Sequence, residues 1–104
     1  MPTTTIASHE IHVDDEGFMT EYDEWTEDLG KVLASQIGIE MSDEHWNAIR
    51  FLRSDFPEHG ETATLRRVST RGGIPTKQLF ALFPKKPAKK MAYIAGLPKP
   101  HGCV

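Results

Sequence analysis

The side chain best suited to covalent chemistry is Cys103, the only cysteine in 104 residues. A lone thiol cannot close an intramolecular disulfide or join a cysteine-rich metal site. It follows Gly96-Leu97-Pro98-Lys99-Pro100-His101-Gly102, a run with no helical or strand period. Residues 97–104 therefore read as an extended, mobile C-terminal arm. Gly96 and Gly102 are its hinge points, and Pro98 and Pro100 stiffen it, which lowers the entropy lost when it enters another molecule. Eight extended residues span at most about 26–29 Å, enough to reach a partner's buried active site. A thiol near its ordinary pKa of about 8.5 is only slightly ionised at neutral pH, so nearby cations matter. Arg66, Lys77, Lys85, Lys89 and His101 are the candidates for supporting the thiolate or docking a partner. From position alone, a spare thiol on a frayed chain end remains the alternative.

Other chemistry finds little purchase. His9, His12, His45, His59 and His101 are scattered, with no i, i+4 pair, so no metal site is expected. No glycine-rich phosphate loop precedes a helix, and no cofactor is expected. No apolar run approaches the roughly 18 residues of a membrane span. Met1-Pro2-Thr3-Thr4-Thr5-Ile6 lacks a basic flank and an apolar stretch, so the expected location is the cytoplasm.

Charge is uneven. The net value is −3, but every acidic residue lies between Glu10 and Glu61. From Arg66 onward there are nine Lys or Arg and no acid. The half leading into Cys103 is thus basic, a field that favours thiolate and suits an acidic partner or nucleic acid; a solvated helix face explains it equally well.

The pattern predicts a single, mainly α domain over 1–104. Residues 1–22 read as a β-hairpin and lead-in, with a turn at Ala7-Ser8-His9-Glu10 and a second at Asp14-Asp15-Glu16-Gly17. A helical bundle spans 23–96. Its first helix starts near Asp23–Thr26, carries the stripe Trp25, Leu29, Val32, Leu33, Ile37, and stops at Gly38. The second is capped by Ser42, buries Trp46, Ile49, Leu52 and Phe56, and ends at Pro57 and Gly60. Thr62 is expected to cap a third helix running to about Ser69. After a turn at Arg71–Pro75, Thr76 caps a fourth helix carrying Leu79, Phe80, Leu82 and Phe83, almost apolar all round and so expected at the centre. Pro87 opens a fifth that lasts until Gly96. The third and fourth helices form a helix-turn-helix-like element.

The C-terminal third resembles a known family. Leu82-Phe83-Pro84-Lys85-Lys86-Pro87-Ala88-Lys89 and Ile94 to Val104 are similar to the signature of the DsrC/TusE sulfur carriers, which bear sulfur on a penultimate cysteine. Asp15-Glu16-Gly17-Phe18, Trp25, His45-Trp46, Arg50-Phe51 and Arg66 extend the likeness over nearly the whole chain. Two-cysteine members carry a second cysteine where this chain has Ala92, so the resemblance is to the single-cysteine TusE-like branch. It implies a sulfur relay that accepts persulfide sulfur on Cys103 and passes it on, as in tRNA 2-thiouridine synthesis. The implied partners are a persulfide donor such as a TusBCD-like complex and a tRNA-thiolating enzyme or other acceptor. Whether such a carrier counts as an enzyme stays open; it leans toward a sulfurtransferase. Two other readings stand beside it: a regulatory or redox-sensing helix-turn-helix protein that binds DNA, and a DsrC-like partner of a dissimilatory sulfur-metabolism complex.

Overall fold

The computed structural model describes residues 3–6 and 9–100. At the N-terminus β1 (Thr3–Ile6) pairs antiparallel with β2 (His9–His12), with Ile6 opposite His9. His9 and Glu10, expected in the turn, are instead paired with Ile6 and Thr5; Ala7 and Ser8 lie outside the described residues. Period-two alternation then buries Ile11 and Val13. The second turn is an Asx turn: Asp14 Oδ1 accepts from Glu16 N (2.9 Å) and Phe18 N (3.0 Å). It reverses the chain so that Val13 bridges Met19 and Phe18 enters the core.

Glu24, in a 3-10 turn over Tyr22–Glu24, fastens this hairpin to the bundle. One carboxylate oxygen accepts from His12 N (2.8 Å), and the other lies 2.7 Å from His12 Nδ1. The backbone hydrogen bond foremost, then the imidazole contact, holds the Glu24 carboxyl below its ordinary 4.5. The folded value is the lower one, so its stabilisation is present above the unfolded value and lost as pH falls through the folded one. Urea-unfolding stability is expected to drop below about pH 4.5, and Glu24→Gln to flatten that part of the profile.

Five helices follow. α1 (Glu27–Gln36) is capped by Thr26, whose Oγ1 accepts from Leu29 N, and buries Leu29, Gly30, Leu33 and Ala34. Trp25, expected on its stripe, precedes the helix. α2 (Asp43–His59) begins with a capping box in which histidine replaces the usual acid. His45 Nδ1 accepts from Ser42 N, so Nε2 carries the hydrogen and donates to Leu82 O at 2.8 Å. Contrary to expectation α2 does not stop at Pro57; it runs to His59, with Gly60 left-handed beyond it. Proline cannot donate to the carbonyl four residues back, and Tyr22 hydroxyl donates to that Arg53 carbonyl instead, at 2.7 Å.

α3 (Leu65–Gly72) is capped by Thr64, not Thr62, and runs three residues past Ser69. α4 (Thr76–Leu82) has Pro75 at its cap, with Thr76 already helical. It is not central: of its residues only Leu79 is buried, and Phe80 is 43% exposed. The centre belongs to α5 (Pro87–Ala95), which buries Pro87, Ala88, Met91, Ala92, Ile94 and Ala95 against α1, α2 and α4. Small alanines let three helices approach one face, whereas seven residues of α4 cover only an edge.

Candidate functional site

The last carbonyls of a helix lack intrahelical partners, and at the end of α5 each finds one. Gly96 is left-handed (φ 69°), its N–H meets Tyr93 O, and Leu97 N donates to Ala92 O at 3.0 Å. This is a Schellman closure with its hydrophobic contact, since Leu97 is fully buried. Trp25 Nε1 donates to Ile94 O (2.8 Å), and Arg53 Nη1 to Ala95 O (3.0 Å). Arg53 Nη2 also reaches Tyr22 O, and the guanidinium lies 3.8 Å from the Tyr22 ring centroid and 4.4 Å from that of Trp25. A cation at a helix C-terminus is favourable. Burial lowers the proton affinity of Arg53, against which Tyr22 and Asp23 act.

Beyond this clamp the chain stays on the body. Buried Thr62 donates to Pro98 O at 2.6 Å, Lys99 Nζ lies 3.2 Å from Glu16 Oε1, and Pro100 is buried. Thr62 lies outside the helix, which begins at Leu65 under the Thr64 cap, and its hydroxyl holds the start of the arm. Gly96, expected as a hinge, is packed on all sides in this conformation. His101, Gly102 and Cys103 lie outside the described residues. Arg66 and Lys77 are exposed on α3 and α4, Lys85 is exposed at φ 61°, and Lys89 is half-buried on α5. Among the described residues none of these four bonds to Leu97–Pro100; Lys99 pairs with Glu16 instead. Arg53, Tyr22 and Thr62 were missed as site residues. Arg53 carries the only legible signal: it stands four residues after Ile49, a charge on the edge of α2's apolar stripe.

Arg67 is spent on the body. Its Nε donates to Asp55 Oδ1 (2.8 Å), and its Nη2 lies 2.6 Å from His59 Nε2. Asp55 is 6% exposed and its Oδ2 has no partner among the described residues. Removing the cation strands a buried carboxylate. Arg67→Met is expected to lower unfolding stability by about 2 kcal/mol, discounted for the partial exposure of Arg67. Asp55→Asn added to it should restore part of the loss.

A small helical body anchors the segment through Pro100, and the sole cysteine follows three residues further along the sequence. The model for the family described as DsrC like protein matches residues 5–104, and the chain belongs to that family. It is 38% identical to the protein named Sulfurtransferase TusE of Escherichia coli K12, over 91% of this chain and 94% of that one. The Salmonella typhimurium protein of the same name matches equally. Its fold matches that of Allochromatium vinosum DsrC, with TM-score 0.79, 34% identity and coverage of 98% and 97%. It also matches the oxidised gamma subunit of the Archaeoglobus fulgidus dissimilatory sulfite reductase (TM-score 0.74, 33% identity, 99% and 100% covered).

Proposed function

We propose that this protein is a sulfur relay in which Cys103 bears the transferred sulfur. The Cys103 thiolate attacks the outer sulfur of a donor persulfide. A new S–S bond forms on Cys103, the donor's S–S bond breaks, and the donor leaves as thiolate. An acceptor thiolate then attacks the outer sulfur on Cys103, which leaves as thiolate in turn. Each step exchanges one S–S bond for another, so no external oxidant or reductant is needed. The single observation that carries the reading is the anchorage of Leu97–Pro100 immediately before the only cysteine, in a DsrC-like chain.

We take the donor to be a TusBCD-like complex and the acceptor a tRNA-thiolating enzyme, as the resemblance to the TusE-like branch implies. A role beside a dissimilatory sulfite reductase is the second reading, drawn from the Archaeoglobus fulgidus subunit. Ala92 is fully buried under the Schellman closure, so no second thiol stands on α5 to share the sulfur. The DNA-binding reading loses Arg67, which pairs with Asp55. Among the described residues no helix is long and apolar enough to cross a membrane.

Intact mass spectrometry of the reduced protein, after incubation with a cysteine desulfurase and cysteine, tests the relay. The expected result is a gain of one sulfur that reduction removes. No gain from several donors, with Cys103 still alkylatable, would overturn it.

A further inference from the structure

We propose that the pocket between the Asp14–Phe18 turn, the end of α1 and the first turns of α5 docks an acidic protein segment with an apolar anchor. It rests on the relay reading, because the segment is taken to belong to the sulfur donor or acceptor. The cavity measures about 360 Å³. Phe18, Ile37 and Tyr93 form its apolar lining. The two rings meet edge to face, with centroids 5.9 Å apart, and Tyr93 hydroxyl donates to Gln36 Oε1 at 3.0 Å. The lining is therefore fixed before any ligand arrives, which lowers the cost of docking.

Lys86, Lys89 and Lys90 stand on the rim. Among the described residues none of them pairs with a carboxylate; Lys90 donates to Pro84 O. Their position runs against a local rule. They crowd the N-terminal end of α5, where the helix dipole disfavours cations and where the helix's own first turn holds no acidic residue. α1 and α2 both place acids there. A sequence that keeps three uncompensated lysines at such an end leaves a strong attraction for an incoming anion. Charge complementarity thus selects an acidic partner, and the apolar lining selects one that also offers an aliphatic or aromatic side chain. A nucleic-acid backbone brings no such anchor, and the Phe18 and Tyr93 rings already engage each other.

The pocket also adjoins the arm. Glu16 lines it and pairs with Lys99, so the anchored start of the arm lies on the same rim. Cys103 lies four positions beyond Lys99, a reach of at most about 14 Å. A partner seated here has its own sulfur site within that radius.

The test is an NMR titration of the full chain with an acetylated Asp-Glu-Phe-Asp-Glu peptide, beside a single-stranded oligouridine RNA. Peptide-induced shifts are expected at Phe18, Ile37, Lys89 and Tyr93. Lys86→Glu/Lys89→Glu is expected to weaken peptide binding at least about tenfold, with a thermal midpoint equal to or above the wild type because the acids now suit the helix dipole. Shifts elsewhere, no shifts at millimolar peptide, or unchanged affinity in the double variant would overturn the proposal. So would RNA binding at these residues more tightly than the peptide. Loading of Cys103 from inorganic polysulfide is followed in the same samples: failure to load in every variant defeats the relay, whereas failure of docking leaves loading intact.

Discussion

Cys103→Ser is expected to abolish sulfur loading outright while leaving the thermal midpoint where it was. Persulfide transfer needs an anionic sulfur nucleophile that is also a competent leaving group. A serine hydroxyl is not ionised at neutral pH, and an oxygen–sulfur bond is not an exchangeable S–S bond. Since Cys103 is the only cysteine, no second thiol can mask the loss. Among the described residues, the hydrophobic core and the contacts that fix the chain through Pro100 hold without it. The check is intact mass after donor treatment, together with a thermal melt. Residual sulfur on the serine variant would place the chemistry elsewhere and defeat the relay.

How far the fold was legible depended on whether a signal was local. α1, the start of α2 and the whole of α5 followed from apolar spacing and cap residues, because Thr26, Ser42, Pro87 and Gly96 act on their own neighbours. Thr62 and Thr64 show where that stops. Both are threonines two residues apart before the same helix; Thr64 caps it, while Thr62 donates to Pro98, 36 positions away. Position in the bundle was also hidden. Leu79, Phe80, Leu82 and Phe83 suggest a central α4, yet its seven residues open on Thr76, Lys77 and Gln78 and bury only Leu79, and longer α5 with its alanines takes the centre. Pro57 misled for a similar reason: the helix tolerates it because Tyr22, from another element, satisfies the freed carbonyl.

The site divides in the same way. Cys103 and the proline-rich run before it stand out in the sequence, since a single thiol on a structureless stretch needs no partner to be noticed. The clamp does not. Spacing predicts which face of α2 is buried, but not that Arg53 on its edge lies between Tyr22 and Trp25 and reaches the Ala95 carbonyl. Those contacts join residues from three elements, and only the assembled fold brings them together. The basic half was legible as charge, yet the structure divides it: Arg67 is consumed by Asp55, Lys99 by Glu16, and Lys86 and Lys89 remain without a carboxylate among the described residues.

Gly96→Ala is expected to be among the most damaging substitutions to stability, although it adds one methyl group. Two costs coincide. At φ 69° an L-residue meets its own backbone, worth about 1 kcal/mol. The added Cβ would also sit 2.4 Å from Trp25 Cδ1 and 2.9 Å from Met19 Sδ. Trp25 cannot yield freely, because its indole N–H is tied to Ile94 O and its ring lies against the Arg53 guanidinium. Overpacking of this kind costs a further ~1–3 kcal/mol, so a loss of about 2–4 kcal/mol is expected by urea unfolding. The damage should not stop at stability. Relief requires Trp25 or the Schellman closure to move, and either releases Leu97 and the Thr62–Pro98 contact. Hydrogen exchange at Leu97 N–H is therefore expected to accelerate by more than global destabilisation accounts for. Exchange that tracks global stability alone would show that Gly96 serves the core and not the anchorage of the arm.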